Sequence, residues 1–206
     1  MPGTSIVFGR FALLSVLVGL VAACDPITAT VVGAGGAVGM GTAEERGLEG
    51  AVDDTKIRAQ INDLWVSKDF DMFRKVTLNV MEGRVMLTGW VERQDQREEA
   101  VRLTWQVPGV REVYDEIQVT TDSGTWSDTK DTWIEEKLHS KLLFDSDIRN
   151  INYDEDVVNG VVYLLGIAQD QAEMDRVLAY ARDISGVTKV VNHVVLKNGP
   201  DRVHSN

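Results

Sequence analysis

The sequence predicts an α+β fold made of two tandem αββαβ units, each a three-stranded mixed sheet with two helices on one face. Three observations lead there. Sliding the chain against itself by 77 residues brings twelve identities into register over the 67 pairs that start at residues 54–120. The identities sit at turns, caps and core positions, where backbone geometry dictates the residue. The best-marked stretch, Asn159-Gly160-Val161-Val162-Tyr163-Leu164-Leu165-Gly166, repeats Glu82-Gly83-Arg84-Val85-Met86-Leu87-Thr88-Gly89. Each reads as a tight turn leading into a buried strand, and Asn-Gly between apolar runs is the strongest short hairpin signal.

Repeat one opens at Asp54, a candidate N-cap, with Ile57, Ile61 and Leu64 at helical spacing behind it. A polar bend is expected over 67–73. Val76, Leu78 and Val80 alternate as a strand, Glu82-Gly83 turns the chain, and Val85, Leu87 and Gly89 continue as a second strand. Residues 94–106 form a charged amphipathic helix that Pro108-Gly109 ends, and Val110, Val113, Ile117 and Val119 mark the third strand. Repeat two runs in the same order: helix 133–144, strand 151–158, turn Asn159-Gly160, strand 161–167, helix 171–184, turn Ser185-Gly186 and strand 187–196. Thr132-x-x-Glu135 fits a capping box, which places the helix start near Trp133. The hairpin pairs two strands antiparallel, and a right-handed crossover makes the third parallel to a neighbour. Units of this size have little core of their own, which gives the halves reason to pack together.

The N-terminus reads as an export and attachment device. Arg10 precedes an apolar run over 11–21, of signal-peptide length and short for a spanning helix. It ends in Val21-Ala22-Ala23-Cys24, which resembles a bacterial lipobox, with Cys24 as the residue to be lipidated. Cys24 is the only cysteine, which excludes a disulfide within the chain and argues against structural zinc. Two or more acyl chains give stable anchoring, at about 0.8 kcal/mol per buried CH₂. Asp25 follows, which in enteric lipoproteins resembles a signal for inner-membrane retention. The Gly/Ala/Thr-rich stretch that follows lacks the third glycine of a dinucleotide loop at Val38 and reads as a flexible tether.

Net charge is −11, so nucleic acid is not an expected partner. His139, His193 and His204 lack metal-ligand spacing, and no serine sits in a nucleophile elbow. The run from Asp154 to Gly160 lacks the third ligand and the bidentate glutamate of a calcium loop. No enzyme activity, metal or cofactor is expected.

Two αββαβ units with a hairpin glycine, Leu-x-Gly at the second strand and Gly-Val before the third resemble tandem BON domains. With the lipobox and tether, and with Asp131-Thr132-Trp133-Ile134, Lys137, Ser140 and Leu142-Leu143, the chain is similar to the lipoprotein members of that family. The resemblance divides it into a signal peptide at 1–23, lipidated cysteine and tether at 24–50, BON domain 1 at 51–121, linker at 122–130, BON domain 2 at 131–197 and a disordered tail at 198–206. It implies a protein on the periplasmic side of the outer membrane, with the inner membrane as the alternative that Asp25 raises. It also implies anionic phospholipid binding through the second domain, a role in outer-membrane integrity and enrichment at division sites. His139 stands where the family carries a basic residue.

One surface in repeat two fits such a role. On the helix 133–144, Ile134, Leu138 and Leu142 form the core stripe, and Trp133, Lys137, Ser140, Lys141 and Phe144 fall on another arc. An indole among headgroups with lysine amines reaching phosphates suits a membrane interface. Glu135 and Glu136 oppose an anionic bilayer. Trp133 packed against repeat one or the linker is the competing use of the residue. Trp65 is assigned to the core at the end of the first helix, Trp105 to the second helix, Trp90 to a strand border and Trp126 to the linker. The alternative function is a protein-interaction module that docks on an envelope assembly or division complex, with bilayer contact only through Cys24.

Overall fold

A computed structural model describes residues 44–121 and 128–202. The chain runs α1 (Gly47–Phe73), β1 (Val76–Met81), β2 (Arg84–Val91), α2 (Gln94–Thr104), β3 (Glu112–Asp115) and β4 (Gln118–Val119) in repeat one. Repeat two is α3 (Asp128–Phe144), a 3₁₀ turn (Asn150–Asn152), β5 (Tyr153–Val158), β6 (Val161–Ala168), α4 (Gln171–Asp183) and β7 (Lys189–Leu196).

The hairpin registers obey the 77-residue offset to the residue: Val76 pairs with Gly89, and Tyr153 with Gly166. Both turns are two-residue loops with positive φ throughout, 54° and 71° at Glu82-Gly83 and 53° and 71° at Asn159-Gly160. That is the turn whose twist matches antiparallel strands. β3 and β7 lie parallel to β2 and β6. Each unit is therefore the expected mixed sheet, in the order hairpin strand, central strand, crossover strand. Repeat one breaks its third strand into β3 and β4, both paired to β2, where repeat two has one strand of eight residues. At the break Arg97 grips the Asp115 carboxylate at 2.8 and 3.0 Å and its carbonyl at 3.1 Å.

The helices of each repeat cover one face of their sheet. Ile57, Ile61 and Trp65 of α1 with Ala100 and Leu103 of α2 close the first core. Ile134, Leu138 and Leu142 of α3 with Met174, Val177, Leu178 and Ala181 of α4 close the second. The opposite faces of the sheets meet each other. Met81 and Met86 of repeat one cluster with Val158, Tyr163, Leu165 and Ile167 of repeat two. The order of layers is thus helices, sheet, sheet, helices, and β6 is buried on both faces.

Polar groups fix the register of this contact. Arg84, only 5 % exposed, donates to the carbonyls of His193 (3.0 Å) and Gly166 (3.1 Å). Tyr114 stacks on His193 with ring centroids 3.9 Å apart. Thr88 donates to Asp156, and Gln118 takes Asn159 Nδ2 at 2.6 Å.

Several boundaries differ from the sequence reading, each for a physical reason. Asp54 is not an N-cap: it lies inside α1, 3 % exposed, and its carboxylate accepts the backbone N–H of Glu82 and of Gly83, both at 2.8 Å. Asp131 does the same for Asn159 (2.7 Å) and Gly160 (2.9 Å). The aspartates tie helix to hairpin, and the helices start upstream, α3 at Asp128 rather than near Trp133. That start takes in the last part of the stretch assigned to the linker, and α1 likewise takes in residues 47–50 of the tether. Residues 67–73 are helical rather than a bend, since neither Gly nor Pro interrupts them.

The two ends are held as well. Glu45 donates its N–H to Asn152 Oδ1 (2.9 Å), and its carboxylate pairs with Lys197 (2.9 Å) and Arg149 (3.3 Å). Arg202, in the stretch assigned to a disordered tail, is a buried clasp. It takes Glu82 at 2.7 Å and donates to the Glu45 carbonyl at 2.8 Å. The signal peptide, Cys24, Asp25, most of the tether, Trp126, His204 and the rest of the tail lie outside the described residues.

Candidate functional site

Helix α3 positions the aromatic and basic side chains. Ile134, Leu138 and Leu142 are at most 1 % exposed, so the opposite arc is turned outward. At about 100° per residue, Lys137, Ser140 and Phe144 fall within roughly 40° of Trp133. Trp133 is 49 % exposed and Phe144 83 %, and Lys137 and Ser140 are exposed between them. The four residues form a straight stripe about 16 Å long. Leu143, 51 % exposed, widens its apolar end, a place the sequence did not assign to it. Half of Trp133 faces solvent, so packing does not consume the residue.

Lys141 does not join the stripe. Its amine pairs with Asp183 Oδ2 at 3.2 Å and lies 4.9 Å from the centre of the Tyr180 ring, both on α4. A partner 42 residues away in sequence draws it aside.

The acidic neighbours divide by position. Glu136 is exposed about 60° round the helix from Trp133. Glu135 is half-buried on the other side; burial pushes its carboxyl up, and the charges of Asp156 and Glu155 raise it further. His139 turns away from the stripe, with Nδ1 2.6 Å from Glu155 Oε1. Burial is also the main cause that pushes Glu155 up, partly offset by His139.

Repeat one carries no such stripe. The equivalent positions on α1 are Lys56, Gln60, Asp63 and Ser67, and Lys56 pairs with Asp53 at 3.0 Å. Among the described residues no group of three or more His, Cys, Asp and Glu is arranged to hold a metal ion, and no helix is long and apolar enough to cross a membrane.

The BON domain model matches residues 53–121 and again residues 130–198, the two repeats seen in the fold. The chain belongs to the BON-domain family. Among its relatives is the outer membrane lipoprotein DolP of Haemophilus influenzae, 29 % identical over 181 residues, which spans 86 % of this chain and 92 % of that protein. The osmotically-inducible protein Y of Escherichia coli is 30 % identical over 148 residues, 71 % of this chain and 74 % of its own. A protein of Anaplasma centrale from the gshII 5′ region is 37 % identical over 149 residues, 71 % of this chain and 97 % of its own. The chain is thus a tandem-BON, DolP-like protein, and the α3 stripe belongs to its second BON domain.

Proposed function

We propose that this chain is a non-enzymatic, lipid-anchored protein of the bacterial cell envelope whose second BON domain binds anionic phospholipid, in support of outer-membrane integrity. The observation that carries the reading is the exposed α3 stripe, with Trp133 and Phe144 at its ends and Lys137 and Ser140 between. Partial burial of one aromatic ring is worth about 1–2 kcal/mol, and a lysine near an anionic surface adds on the order of 1 kcal/mol. That sum is marginal for a free domain and useful for one held near the bilayer by an acylated Cys24. Lys141 is shared with Asp183, so the first basic contact falls to Lys137. The relative named an outer membrane lipoprotein favours the outer membrane, and Asp25 keeps the inner membrane as the alternative.

Co-sedimentation with vesicles of phosphatidylglycerol and phosphatidylcholine tests the stripe. Trp133→Glu should release the protein from the anionic vesicles and leave its melting temperature unchanged. Undiminished binding, or a collapsed melt, would refute the lipid face. Separation of inner and outer membranes on a sucrose gradient decides the destination, and globomycin sensitivity decides lipidation.

A further inference from the structure

Two depressions adjoin along the outer side of α1. One, of about 340 Å³, lies by the Glu82-Gly83 turn, with Ile57, Pro108 and Gly109 in its wall. The other, of about 570 Å³, is formed by Gln60, Leu64, Val66, Gln106, Val107 and Pro108, with Asp63 and Ser67 at its edge. They share Gln60 and Pro108, so they make one groove between the helix and the loop after α2.

The second BON domain shows why this groove is open. The 77-residue offset carries Leu64 to Lys141 and Gln106 to Asp183. In domain 2 those two residues form the 3.2 Å ion pair that spans the gap between α3 and the end of α4. In domain 1 the same positions hold an aliphatic side chain and a neutral amide, which cannot form that bridge. Val66 stands 55 % exposed at the lip, while Val107 is 4 % exposed in the wall. Apolar surface left open in this way is stabilised when a partner covers it.

The charge at the rim selects what covers it. Asp63 is the one charged residue that lines the larger depression, and it has no ion-pair partner among the described residues. At the smaller depression Lys56 is already engaged by Asp53, and Arg111 stands in a lining that also holds Asp54 and Glu82, so carboxylates outnumber cations there. A net charge of −11 attracts cations at long range and disfavours anionic headgroups at this site.

The geometry points to the α1 groove of the first BON domain as a docking site for a cationic amphipathic segment of another protein, apolar side chains against Leu64, Val66 and Val107 and a lysine or arginine at Asp63. It lies on a different domain from the lipid stripe and does not depend on it.

A defined probe tests the groove: a fluorescein-labelled 14-residue helix of leucine and lysine in amphipathic order, with a leucine–glutamate helix as control. Anisotropy is read with the full chain in phosphatidylcholine nanodiscs, against empty nanodiscs as blank. The leucine–lysine helix should bind the protein, and the glutamate version at least tenfold more weakly. The double variant Leu64→Lys/Gln106→Asp grafts the bridge of domain 2 and should weaken binding at least tenfold. Trp133→Glu should not alter it. Asp63 is exposed, so Asp63→Lys keeps the fold and should shift preference toward the glutamate helix. Equal affinity for the two helices, or no binding above empty nanodiscs, overturns the proposal. So does unchanged binding in the grafted variant at native melting temperature, loss of binding in Trp133→Glu, or an unmoved preference in Asp63→Lys.

Discussion

His193 Nε2 lies 2.9 Å from Glu116 Oε1, and the two residues occupy the same position in the two repeats, 77 residues apart. The strands around this pair meet reciprocally, β1 against β6 and β2 against β5, so the two sheets present equivalent surfaces to each other. The contact is asymmetric in chemistry, imidazole against carboxylate, and in backbone, since Glu116 lies at the break between β3 and β4 and His193 within β7. A double-mutant cycle with Glu116→Ala and His193→Ala, read by urea unfolding, should give a coupling of about 0.5–1 kcal/mol, as for a partly exposed pair. Additive losses would mean the two side chains are neighbours without interaction.

Arg202→Ala should destabilise the protein by about 2 kcal/mol, because it strands Glu82 and the Glu45 carbonyl in a largely buried place. Arg202→Lys should recover only part of this, since an ammonium cannot take Glu82 in the forked geometry of a guanidinium. Chemical denaturation of the three proteins ranks them.

Asp54→Ala should cost about 2–4 kcal/mol, since it leaves the N–H groups of Glu82 and Gly83 without their acceptor. Asp131→Ala acts by the same route on Asn159 and Gly160 but should cost less. Arg46 also pairs with Asp54, at 2.9 Å, and would lose its partner there. Thermal melts of both variants give the order; a helix-capping role would instead make the two losses equal and near 1 kcal/mol.

Asp154 on β5 is pushed above its ordinary range by burial, which Arg58 and Arg46 only partly offset. A carboxyl whose folded value is raised favours the fold in acid, and that contribution is lost as pH rises through the raised value. Asp154→Asn should therefore melt higher than the parent at pH 8, with the gap closing as pH falls toward about 4. A gap that stays constant from pH 8 to pH 4 would show that the group does not titrate with folding.

Much of this architecture was legible because a duplicated chain annotates itself. Gly83, Gly89, Gly160 and Gly166 marked both hairpins, and the strands β1 and β2 map onto β5 and β6 with no slip. The starts of α2 and α4 were legible at Gln94 and Gln171, but those of α1 and α3 were not, because an aspartate ahead of an apolar helical pattern has the same chemistry as a cap and as an acceptor for a turn 28 residues away. The sheet-to-sheet contact did leave a trace: residues 161–168 are apolar at both alternating sets of positions, which a strand with one wet face is not. The stripe on α3 followed from periodicity alone, since it needs only one helix. The pairing of Lys141 with Asp183 could not be read from the periodicity, because that partner is on another helix. The groove became visible only when Leu64 and Gln106 were compared with that pair.

The back-to-back sheets have a further consequence. They turn the helical layers of the two domains outward in opposite directions, α1 and α2 on one side, α3 and α4 on the other. A duplication that had laid the units side by side would have put both outer surfaces in competition for one neighbour. Here the double sheet, about 10 Å between its layers, acts as a partition. Whatever occupies one flank leaves the other unobstructed, so two engagements can coexist on a single small chain without either having to let go.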